Sequence, residues 1–96
     1  MNEELITKLR SIFDKTILSS SPKWMHNHLW ESCIKSCYDN VDKYDKDKKS
    51  SLLSYLLVIV RSRFVFECHK IKKDTEYKNM IIRKYRDEVL INILKN

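Results

Sequence analysis

Glycine is absent from this sequence, and proline occurs once, as Pro22. An ordinary chain of this length would hold about seven glycines and five prolines. Tight hairpins draw on glycine for positive φ, so its absence argues against a β-rich fold. It also removes every glycine-rich phosphate loop and the nucleotide-binding motifs built on one. Long apolar runs are missing too. The longest apolar cluster, residues 52–60, stops at Arg61, well short of the roughly 18 residues that cross a bilayer. The opening stretch MNEELITKLR mixes both signs of charge and lacks the apolar core of a signal peptide. A cytoplasmic protein with no membrane association is expected, with Cys33, Cys37 and Cys68 reduced.

What remains points to an all-α fold, a small bundle of about four helices in one domain of 96 residues. A chain of this size buries only about 60–65% of its unfolded surface, so the core is modest. The first helix is expected over about Glu3–Leu18, capped by Asn2, with Leu5, Leu9, Ile12, Phe13 and Ile17 on one face. Ser19-Ser20-Ser21-Pro22 ends it, and Ser21 and Pro22 suit the start of a second helix, about Lys23–Tyr44. Leu29, Cys33, Cys37 (or Ile34), Val41 and Tyr44 form its stripe. Residues 45–50, DKDKKS, read as a polar connection. A third helix, about Ser51–Ile71, starts apolar on every side, which predicts a central, buried position. From Arg61 it turns amphipathic and basic. Lys72-Lys73-Asp74 breaks it, and a fourth, amphipathic helix over about Thr75–Leu94 places Tyr77, Met80, Ile81, Tyr85, Val89 and Leu90 at helical spacing.

Charge is unevenly placed. The net charge is +6. Residues 1–60 hold nine Lys or Arg against eight Asp or Glu, whereas residues 61–96 hold ten against five. A basic C-terminal third suggests a polyanionic partner, either nucleic acid or an acidic protein face. Free use of lysine across the whole chain is the plainer explanation, and composition alone does not separate the two. Zinc chemistry finds little support, because Cys33 and Cys37 are four apart on a helix rather than in a C-x2-C turn. Two such cysteines are more often small core residues. No spacing favours a nucleophile with its base, so no catalytic, metal or cofactor residue is assigned and no enzyme activity is expected.

The most specific segment is VDKYDKDKKSSLLSYLLVIVRSRF, residues 41–64. It resembles conserved region 2 of the bacterial sigma-70 family, and most of all the minimal, divergent late sigma factors of phages. Val41-Asp42-Lys43-Tyr44-Asp45 matches the family's first block, Ser54-Tyr55 its Ser/Thr-Tyr step, and Val60-Arg61 its Ile-Arg step, without gaps. Upstream, His28-Leu29-Trp30-Glu31 sits where the family begins its polymerase-binding helix. The resemblance covers about residues 24–73. It departs from the family in lacking the loop glycine, in having Leu52 in place of an aromatic, and in placing Val58 and Ile59 where two DNA-opening tryptophans stand. Strand capture through aromatic stacking, about 1–3 kcal/mol per base, is weaker without them.

The resemblance implies a region-2-like fold that docks on the RNA polymerase clamp through Trp30, Glu31, Lys35 and Tyr38. Tyr55, Arg61 and Arg63 then meet promoter −10 DNA, while Lys70, Lys72 and Lys73 continue a basic face toward phosphates. The family's −35 reading segment has no counterpart in this sequence, and whether a second subunit supplies one is left open. Each assignment has a plainer counterpart. Trp24, Trp30 and Tyr55 are the kind of residue a small bundle uses as core, and Arg61 and Arg63 fit a solvated helix end. Two other readings stay open: a helical viral or plasmid-borne adaptor that inhibits a host protein without touching DNA, and a polymerase-binding mimic that blocks the sigma site. The C-terminal helix either covers the bundle or offers Val89, Leu90, Ile93 and Leu94 to a partner groove.

Overall fold

The computed structural model describes residues 1–17 (backbone alone at Ile17), 21–47, 51–86, 90 and 94. These form four α-helices: α1 (Glu3–Ile12), α2 (His26–Asn40), α3 (Leu52–Lys73) and α4 (Thr75–Lys84), and no strand occurs among the described residues. The expected small all-α bundle is what the chain forms. Leu18, Ser19, Ser20 and residues 48–50 lie outside the described residues, as do 87–89, 91–93, 95 and 96. They include Val89 and Ile93 of the expected C-terminal helix.

Local chemistry sets the helix boundaries. Asn2 caps α1 by accepting the Leu5 amide at 2.8 Å, and Glu3 and Glu4 sit where the helix dipole favours anions. The helix then widens into one π-turn, Phe13–Ile17. α2 starts later than the sequence suggests. Lys23–Met25 form a 3-10 turn with Pro22 at its N-cap, and Ser21 makes no capping bond there. The Ser21 carbonyl instead lies 2.9 Å from His26 Nε2. α2 closes in a second 3-10 turn, Val41–Lys43, beyond which Tyr44 is extended. Ser51 caps α3 through a 3.1 Å bond from the Ser54 amide. Asp74 both ends α3 and caps α4, accepting the Tyr77 amide at 3.1 Å.

α3, about 33 Å long at 1.5 Å per residue, is the spine of a molecule extending 48 × 29 × 20 Å. α2 packs along it most extensively, and α4 and α1 also touch it. The core draws Leu9 and Phe13 from α1, Met25 from the 3-10 turn, Leu29, Cys33 and Cys37 from α2, Leu56, Val60 and Ile71 from α3, then Ile81 and Tyr85. The cysteines let α2 and α3 approach closely. Cys33 Sγ lies 3.5 Å from the Val60 carbonyl, and Cys37 Sγ lies 3.8 Å from that of Leu56. Each buried aliphatic side chain contributes about 1.5–3 kcal/mol of transfer free energy.

One expectation needs correction. α3 is not buried all round in its first half, because Val58 is 63% exposed. A spine in a bundle this small is flanked on some sides only, so an apolar residue on the remaining side meets solvent. No helix among the described residues is long and apolar enough to cross a membrane.

Candidate nucleic-acid interface

The exposed half of α3 carries Val58, Arg61, Ser62, Val65, Phe66, His69, Lys70, Lys72 and Lys73, with Arg61 and Lys70 at its two edges, about 180° apart. α4 and the residues after it add Lys78, Arg83, Lys84 and Arg86. Against these, Asp74 and Glu76 are the exposed acids described between Arg61 and Arg86. Asp74 has a structural task as the cap of α4. The charge asymmetry read from the sequence thus becomes a surface, formed by the second half of α3 and by α4. Lys70, Lys72 and Lys73 also suit the negative end of the α3 dipole. Lys70 Nζ sits 4.2 Å from the centre of the Tyr77 ring and remains exposed.

Arg61 and Arg63, expected to face outward together, part company. Arg61 is exposed and makes no ion pair or hydrogen bond with a described residue. Arg63 turns inward. Its Nη2 donates to Glu67 Oε1 at 2.8 Å, its Nε donates to Ser32 Oγ at 2.8 Å, and its guanidinium lies 4.8 Å from the Phe66 ring centre. Residue 63 lies about 200° around the helix from residue 61, past the exposed half and beside Ser32 and Glu67. Tyr55 is likewise engaged. Its hydroxyl donates to the Asn40 carbonyl at 3.0 Å, and its ring packs 5.4 Å from that of Tyr44.

Glu67 organises the interior polar cluster. It is 1% exposed and gathers donors from three helices. Ser32 Oγ donates to Oε1 at 2.8 Å, and Tyr77 Oη donates to Oε2 at 2.6 Å. His28 Nε2 lies 2.9 Å from Oε2, and Arg63 completes the set. Burial alone would raise the carboxyl pKa. Hydrogen bonds from Tyr77, His28 and Ser32, with the neighbouring imidazole, reverse this and hold it at about 2. Burial and the adjacent carboxylate push the Tyr77 phenol well above its ordinary value. A buried carboxylate with this many donors is a structural tie between α2, α3 and α4.

That cluster was missed from the sequence, though a signal existed. Leu56, Val60, Glu67 and Ile71 fall on one helical stripe, so Glu67 occupies a core register. A charge at such a position needs partners.

The expected partner-docking residues divide in a similar way. Trp30 packs against α1, with its ring 5.4 Å from that of Phe13 and the Arg10 guanidinium 4.9 Å from its centre. Glu31 is exposed but accepts a hydrogen bond from Tyr85 Oη, and its carboxylate lies 3.7 Å from Lys84 Nζ. Lys35 and Tyr38, further along the same helix, are exposed. Cys33 and Cys37 are buried in the core, where burial pushes their thiols up to about 12 and about 11. Comparison with known proteins finds no matching family model, no similar curated protein and no similar solved structure.

Proposed function

We propose that this chain is a polymerase-binding, DNA-contacting transcription module of the kind that sigma-70 region 2 represents. One observation carries the reading: the exposed half of α3 from Arg61 onward, continued by α4, is basic, and Asp74 and Glu76 are the exposed acids described there. Two others are compatible with it. The VDKYD block follows α2, in the 3-10 turn Val41–Lys43 and the two residues after it, and the Ser-Tyr and Val-Arg steps both fall on α3, the helix packed against α2. Arg61, Lys70, Lys72 and Lys73 are the DNA-facing residues of this reading. Arg63 and Tyr55 support the helix that carries them. Docking on polymerase rests on Lys35 and Tyr38, since Trp30 and Glu31 have partners within the fold.

The test is binding of labelled promoter DNA, alone and with core polymerase, across a salt series. Four phosphate contacts, one each from Arg61, Lys70, Lys72 and Lys73, predict an affinity loss of about 50- to 150-fold between 50 and 200 mM salt. Charge reversal at Arg61, Lys70 and Lys73 lowers the salt slope by about one per residue. Lys35→Glu with Tyr38→Ala weakens polymerase capture and leaves DNA binding unchanged. Salt-independent DNA binding, or polymerase capture indifferent to the α2 pair, overturns the reading.

Val58, Val65 and Phe66, exposed at 63, 52 and 51%, favour a second reading, in which α3 meets a protein rather than DNA. It predicts no DNA binding at any salt and an activity that survives charge reversal at Arg61.

A further inference from the structure

Beside the basic face, two adjoining cavities run along the flank of α3 and share Cys68 and Lys72. The larger, about 590 Å³, lies between α3, α4 and the 3-10 turn, with Trp24, Ile71 and Ile82 among its apolar lining and Lys72 and Lys78 beside them. The smaller, about 250 Å³, continues it past Phe64, Val65 and His69. Among the described residues, no Asp or Glu lines either cavity. The floor is apolar and the charges are all of one sign.

We propose that this groove docks an acidic amphipathic helix of a partner protein. Charge complementarity selects the sign, since Lys72 and Lys78 meet an apolar floor and no described acid pairs with them. The walls select the conformation. They are helical, so their backbone groups are bonded internally and offer no ladder to an extended strand. An incoming helix brings its own backbone bonds and needs only side-chain grooves. From Phe64 to Lys72 the α3 side of the groove runs about 12 Å, the length of about two helical turns. The groove shares Lys72 with the DNA-facing set, but Arg61, Lys70, Lys73, Lys35 and Tyr38 do not line it, so Lys78 and Val65 separate this proposal from the DNA reading.

Fluorescence anisotropy with a labelled 14-residue helical peptide tests this, with Leu at i, i+3, i+4 and i+7 and Glu elsewhere. For so small an interface a Kd on the order of 10 µM is expected. Saturating peptide slows alkylation of Cys68, the one cysteine outside the buried core. Lys72→Glu with Lys78→Glu weakens binding at least tenfold, and so does Val65→Asp. All three sites are exposed, so unchanged melting temperatures separate lost binding from lost folding. Arg61→Glu with Lys70→Glu changes peptide affinity less than threefold while abolishing any DNA binding. The proposal is overturned if the peptide does not saturate by 1 mM, or if a Lys-for-Glu version binds equally well. It is also overturned if a short oligonucleotide displaces the peptide and itself protects Cys68, which makes the groove part of a nucleic-acid face.

Discussion

Replacing Glu67 with glutamine keeps the volume of the buried cluster and removes its negative charge. The carboxyl is held at about 2, against an ordinary value of 4.5. That difference corresponds to about 3 kcal/mol of native-state stabilisation at neutral pH, at 1.36 kcal/mol per pKa unit. A carboxyl depressed in the folded state stabilises fully above its unfolded value. The contribution is lost as pH falls from about 4.5 toward about 2. Glu67→Gln is therefore expected to be about 3 kcal/mol less stable at pH 7, a drop in Tm of roughly 12–24 °C for a domain of this size. Urea unfolding followed by far-UV circular dichroism, on both proteins at pH 7, 5, 4 and 3, gives the comparison. The gap between them is largest at pH 7 and 5, narrows through pH 4 and 3, and nearly closes toward pH 2. Other carboxylates titrate in both proteins and cancel in the difference. Equal stability at pH 7, or a gap that stays constant with pH, refutes the view that ionised Glu67 ties α2, α3 and α4 together.

Other outcomes follow from the same structure. Leu56→Ala, at a fully buried position between α2 and α3, costs about 2–5 kcal/mol in a denaturant titration. Asp74→Ala removes the α4 cap and costs about 1 kcal/mol, measured by thermal melting. Iodoacetamide at pH 8 modifies Cys68 ahead of Cys33 and Cys37, whose burial raises their thiols; mass spectrometry of the labelled peptides reads the order. Arg61→Ala leaves stability within about 0.5 kcal/mol and weakens DNA binding, whereas Arg63→Ala destabilises the fold through the Glu67 cluster.

Helix positions were legible because local signals and packing agree. The Asn2 cap is where the sequence places it, and α3 runs to Lys73, two residues beyond Ile71, where Asp74, the last residue of the expected Lys72-Lys73-Asp74 break, ends it. The stripe Leu29, Cys33 and Cys37 is buried as its spacing predicts. The orientation of polar side chains was less legible. Arg63 differs from Arg61 only in register, and its inward turn depends on Ser32, 31 positions away. Trp30 could be placed on α2 but not against Phe13, because the packing angle of α1 is a tertiary property. Val58 shows the limit of an all-apolar run as a sign of burial. In a bundle of four helices the spine helix keeps a wet side.

The basic surface has two explanations, and individual residues separate them. Cations at the C-terminal end of a helix complement its dipole, each contributing about 0.3–1 kcal/mol. That accounts for Lys70, Lys72 and Lys73 at the end of α3 and for Arg83 and Lys84 at the end of α4. It does not account for Arg61, in the middle of α3, nor for Lys78, one turn into α4, where the dipole gains nothing from a positive charge. Neither forms an ion pair with a described acidic side chain, and both are exposed. Arg61 stands on the exposed half of α3 and Lys78 beside the apolar groove. Fold stability leaves these two charges unexplained, so charge reversal at each is where binding and folding come apart most cleanly.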